Sequence, residues 1–216
     1  MDFFNLPERT KVGRIVPKNA FDAYTNTKQK KLFTDCVRRI LWTHKLSTDT
    51  VNLDAREIQE VQVFKVELKQ KSNILKILEI INKAIPYYIV FWVEHDREAY
   101  ISTASKHPHP TNDNIAVIDW TFTSDWFNKE ENNFSFNLKG SLDAVFKDFC
   151  VQLTGKPDLG KQSMDAILKN QQEIDRLKKE ISKLKSAISK SKQFNEKVDL
   201  NIKLKAMEKE LDDLAG

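Results

Sequence analysis

The sequence predicts an α+β domain, a mixed sheet with flanking helices, followed by a C-terminal antiparallel helical hairpin of coiled-coil type. Three observations lead there. All four tryptophans and twelve of the thirteen phenylalanines precede residue 155. That same part mixes period-two alternation with spacings of three and four, the marks of strands and helices. Beyond Gly155, Pro157 and Gly160 the pattern changes to heptads. The expected division is therefore an α+β domain over 1–155, a linker over 156–164 and a helical hairpin over 165–216.

"KKLFTDCVRRILWTHKL", residues 30–46, spaces Leu32, Phe33, Cys36, Val37, Ile40 and Leu41 as one helix would. "TVNL", residues 50–53, reads as a short strand. "EVQVFKVELK", residues 60–69, alternates and predicts a strand with Phe64, Val66 and Leu68 on one face and Val61, Val63, Lys65 and Glu67 on the other. "SNILKILEIINKAI", residues 72–85, predicts a helix capped by Ser72 or Asn73 and stopped by Pro86. "YYIVFWVEH" and "REAYISTAS" flank Asp96 and predict a hairpin. "IAVIDWTF" and "FSFNL" add strand, and "SLDAVFKDFCVQL" is a helix capped by Ser141. Strands and helices in this order give an α+β domain.

In the tail, Ile174, Leu177, Ile181, Leu184 and Ile188 form one seam, and Leu200, Leu204, Met207, Leu211 and Leu214 form another. The seams mirror each other about Phe194, as an antiparallel hairpin turning near "SKSKQFNEK" requires. The alternative is a coiled coil shared between chains.

Composition narrows the function. The chain has 216 residues, with 35 basic against 31 acidic and a net charge of +4. This balance is too mild to demand nucleic acid. Cys36 and Cys150 lie far apart, giving neither zinc spacing nor a disulfide framework. "MDFFNLPERTK" lacks the apolar run of a signal peptide, and "IPYYIVFWV" is far short of a membrane span. A cytoplasmic, non-membrane protein is expected.

Glu67 and Lys69 form a Glu-x-Lys pair at the end of an alternating stretch. A Mg²⁺-dependent nuclease needs two carboxylates for the metal and a lysine to orient or activate the attacking water. Asp54, thirteen residues upstream, is the candidate first acid, with Glu57 and Glu60 as rivals. The element order matches that of the restriction-endonuclease core. Against this stands the ordinary amphipathic strand with a charged outer face. "KHPHP", residues 106–110, reads as an extended, solvated loop, because its prolines favour such backbone. Trp120, Trp126 and Phe127 belong to an aromatic cluster suited to anchoring a partner or to filling a core. Lys183, Lys185, Lys190 and Lys192 at the hairpin tip are candidates for phosphate contact or for a solvated face.

"VFKVEL", "INKAIPYYIVFWVE" and "KQFNEKVDLNIKLKAMEKEL", in this order, resemble an uncharacterised bacterial family, domain of unknown function 4391. The resemblance covers most of the chain, from "KVGRIVPK" onward. It implies no reaction and no catalytic residues. It does imply a setting beside helicases and DNA methyltransferases of restriction and phage-defence systems. The expectation carried forward is a non-catalytic accessory or adaptor protein without cofactor. Its partner is a protein, such as a helicase or DNA methyltransferase, with DNA reached through that partner. The alternative is a Mg²⁺-dependent nuclease using Asp54, Glu67 and Lys69, with Asp54 and Glu67 holding the metal.

Overall fold

The computed structural model describes residues 3–215. It divides into two compact units, residues 1–161 and 162–216. The stretch 156–164, expected as a linker, contains a 3-10 turn over Pro157–Lys161 that buries Leu159.

The first unit is built on a mixed sheet. Its strands are β1 (Lys11–Ile15), β2 (Val37–Ser47), β3 (Glu60–Leu68), β4 (Tyr88–His95), β5 (Glu98–His109) and β6 (Asn112–Thr123). They lie side by side in that same order, with the two-residue β7 (Phe127–Asn128) pairing with β5. Every neighbouring pair is antiparallel except β3 and β4. The parallel pair needs a crossover, and α3 (Leu75–Ala84) supplies it.

The α3 face of the sheet is a continuous core. Phe64, Val66 and Leu68 of β3 and Ile89, Phe91 and Val93 of β4 pack with Ile77, Leu78 and Ile81 of α3 and with Phe33 of α1 (Thr27–Cys36). The other face carries α4 (Leu142–Thr154) and an aromatic group. Phe3 stacks on Trp92 at 4.1 Å, and Phe4 meets Trp92, Phe136 and Phe149 edge-on. Ser141 caps α4 by accepting from the Ala144 N–H.

Four stretches differ from expectation. Residues 30–46 are not one helix: α1 ends at Cys36 and β2 begins at Val37. The apolar positions of 37–46 suited a helix, but its β-branched and aromatic residues pair along the whole of β3, and that ladder prevails. "TVNL" forms no strand: Thr50 and Val51 end α2 (Thr48–Val51), a single turn closed by Asn52 at φ 55°. "FSFNL" forms no strand, because Phe134 and Phe136 join the aromatic group instead. "KHPHP" is not a loop: Lys106 to His109 continue β5, with His107 and Pro108 exposed. Lys106 is buried, and its ammonium donates to the carbonyls of Asn82 (2.8 Å) and Ile85 (2.6 Å) at the end of α3. Burial pushes its pKa down to about 7.

The second unit comprises α5 (Met164–Lys190) and α6 (Phe194–Ala215), packed as an antiparallel hairpin. Ile174, Leu177 and Ile181 are buried, while Leu184, Ile188 and the whole α6 seam are half-buried. Lys185 reaches Glu208 across the hairpin at 2.8 Å. No helix among the described residues is long and apolar enough to cross a membrane.

Candidate functional site

A group of charged side chains gathers at the C-terminal ends of β3 and β4. Register places Arg39 opposite Glu67 on one side and Glu94 beside it on the other. Period-two geometry then sends Lys65, Glu67, Trp92 and Glu94 to the same face. Arg39 grips Glu67 with two hydrogen bonds, Nη2 to Oε1 at 2.6 Å and Nε to Oε2 at 3.2 Å. The Lys65 ammonium sits between the two acids, 3.1 Å from Glu67 Oε1 and 2.9 Å from Glu94 Oε1. Glu94 Oε2 also accepts from Trp92 Nε1 at 2.9 Å and lies 3.6 Å from Lys129 Nζ. The Phe3 ring covers Lys65, 5.3 Å from the ammonium.

Burial alone pushes the Glu67 pKa up. The hydrogen bonds and charges of Arg39 and Lys65 outweigh burial and bring the net value below the ordinary carboxylate range. Burial likewise opposes the charge on Lys65, yet Glu94 and Glu67 raise its pKa overall. Side-by-side carboxylates are what a divalent cation prefers. Here the protein's own cations occupy their oxygens.

The candidate nuclease residues do not converge. Lys69 turns away and donates to the Thr34 carbonyl at 2.6 Å. Asp54 is exposed and belongs to the opposite end of β3, where it forms an isolated bridge with Ser141. From Glu60 to Glu67 the strand alone spans about 23 Å. Glu60 pairs with Lys45 at 3.0 Å, and the Glu57 N–H is held by Asp143. Among the described residues, no group of three or more His, Cys, Asp or Glu side chains is placed to hold a metal. Sequence reasoning missed Arg39, Lys65 and Glu94. The signal for Glu94 was present: it shares a face with Trp92 in an otherwise apolar strand, at the same end as Glu67.

Trp126 and Phe127 pack inward. Trp126 meets Tyr100 edge-on at 4.8 Å, and Phe127 meets Trp92 at 5.6 Å. Trp120 is half-buried in β6. His107 is exposed and bonds Asp119 across β5 and β6 at 2.8 Å. At the hairpin tip, Lys183, Lys185, Lys190 and Lys192 are all exposed. Lys185 pairs with an acid in the hairpin, Glu208.

Sheet order, covered faces and appended hairpin thus define an α+β protein whose charged site is internally compensated. The chain belongs to the family described as a domain of unknown function (DUF4391), whose model matches residues 4–211. No curated protein and no solved structure matches it.

Proposed function

We propose that this chain is a non-catalytic accessory protein that binds a protein partner. The supporting observation is the charge compensation around Glu67. Arg39 and Lys65 bond both oxygens of Glu67, so a divalent cation there would have to compete with two positive charges already in place. The family resemblance adds the setting, a restriction or phage-defence system with a helicase or DNA methyltransferase as partner. In that setting Lys183, Lys190 and Lys192 contact DNA once the complex is assembled.

The test is to incubate the purified chain, alone and with its partner, with plasmid and linear DNA in Mg²⁺ or Mn²⁺. Wild type, Glu67→Gln and Lys69→Met should all fail to cut alone, and both variants should still support the activity of the complex. A second reading, a Mg²⁺-dependent nuclease, draws on one observation: β3 and β4 run parallel and set Glu67 beside Glu94. Cutting by wild type that is lost in Glu67→Gln and Glu94→Gln would establish that reading and overturn the first.

A further inference from the structure

We propose that the free edge of β6 takes an extended segment of a partner protein as an added strand, with apolar side chains at alternate positions seated in the groove between β6 and α3. This rests on the accessory-protein reading and names the kind of segment the partner offers. The sheet order leaves two outer strands, β1 and β6. Sheets guard such edges with short strands, bulges, lysine or proline, because a bare row of N–H and C=O groups invites another strand. β1 is guarded. It has five residues, bears Lys11 and Arg14, and is broken by a register shift around Gly13, whose φ is 67°. β6 has twelve residues, and over 115–123 it holds no lysine, arginine, proline or glycine. A bulge at Asp119 interrupts it, and His107 takes that carboxylate. Among the described residues β6 pairs with β5 alone.

The groove gives this edge a preference among strands. It is walled by Leu75 and Leu78 of α3 and by Ile115, Ala116 and Ile118 of β6, and at about 570 Å³ it has room for several side chains. A strand added to β6 turns every second side chain to one face of the sheet. A segment with apolar residues at alternate positions therefore fills the groove while its main chain extends the ladder. Asn82 also lines the groove. It is 2% exposed, and among the described residues its Oδ1 has no hydrogen-bond partner. A buried oxygen without a donor is costly; rotation about the Cβ–Cγ bond offers it to a peptide N–H in the groove. The main chain selects the occupant. A row of backbone donors and acceptors is matched by another extended chain, whereas a helix has spent its own groups internally, and lipid and DNA carry no such row. A second copy fits less well, because its Ala116 and Ile118 already line the groove of their own chain.

The experiment uses the full chain and a set of fluorescently labelled synthetic peptides in which threonine alternates with valine, leucine, isoleucine or phenylalanine. At least one should bind, and on binding the amide hydrogen exchange of residues 115–118 should slow about tenfold or more while α6 amides keep their rates. The binding peptide is then N-methylated, either at its apolar residues or at its threonines. One set of amides faces β6, and methylating it should abolish binding; the other faces away, and methylating it should not. Thr121→Lys, an exposed change beside the groove, should guard the edge and weaken binding about tenfold. Asn82→Leu removes the unpaired oxygen, so it should weaken binding severalfold without lowering the urea midpoint. No binder in the set, equal loss with both methylated forms, or slowed exchange away from β6 overturns the proposal. So does full affinity in Thr121→Lys, or a chain dimer that protects β6 without peptide. The two readings fail separately: Glu67-dependent DNA cutting would remove the accessory role and leave the strand-addition site standing.

Discussion

Lys106→Met should erase a pH dependence that the wild-type protein carries. Burial takes the Lys106 pKa from 10.5 to about 7 in the folded state. Between those values the unfolded chain binds more protons, so stability rises with pH across the window, and the penalty is fully present below it. Each unit is worth about 1.4 kcal/mol, so raising the pH from 7 to 9 should add about 2 kcal/mol. The carbonyls of Asn82 and Ile85 hold the ammonium and make this an upper figure. The fully buried Cys150 works the other way, because burial raises its thiol pKa while the unfolded thiol ionises near pH 8.5. The informative quantity is thus the difference between wild type and Lys106→Met, in which Cys150 cancels. All four tryptophans lie in the sheet unit, so their fluorescence reports its urea unfolding. With a slope of about 2 kcal/mol per molar, the wild-type midpoint should gain about 1 M relative to the variant. Parallel pH profiles for the two proteins would refute the argument.

Glu67→Gln should cost about 1–2 kcal/mol by leaving Arg39 and Lys65 short of one carboxylate. Because the folded pKa of Glu67 is depressed, its contribution is present above the unfolded value near 4.3 and lost as pH falls through the folded one; urea midpoints from pH 6 to 3 should show wild type and variant converging. Asp143 accepts from the N–H groups of Arg56, Glu57 and Ile58 at 3.0–3.1 Å, so Asp143→Ala should speed hydrogen exchange at those amides about tenfold or more. Unchanged protection there would mean that other contacts hold the loop. Cysteines placed at Lys185 and Glu208, with Cys36 and Cys150 replaced, should be joined within one chain by a short bis-maleimide; products linked only between chains would exclude the intramolecular hairpin.

Local rules made most of this architecture legible. Alternation identified β3, Asp96 marked the β4–β5 turn, and Ser141 marked the start of α4, because each is decided within a few residues. Residues 37–46 were not legible, since their spacing satisfied a helix and only the distant β3 made them a strand. Lys106 misled for a related reason. The prolines that follow it suit an exposed extended segment, and nothing nearby reveals that α3 ends above it. At the charged site, Glu-x-Lys drew attention to Glu67 and set Lys69 beside it. Lys69 points to Thr34, while the residues around Glu67 come from β2 and β4, which sequence distance conceals.

The six main strands lie in the sheet in the order in which a ribosome makes them. Each emerging strand therefore meets an edge that already exists, and neighbours in sequence become neighbours in space without a long search. Other contacts join distant parts of the chain. Phe4 must await Phe136 and Phe149, and the Phe3 carbonyl must await the Asn132 side chain, 129 residues away. Pulse-labelled exchange during refolding should find β2 to β5 amides protected before those around Phe4; the opposite order would rule this sequence of events out. Phe3 and Phe4 thus depend on contacts made far along the sequence, and it is Phe3 that covers Lys65.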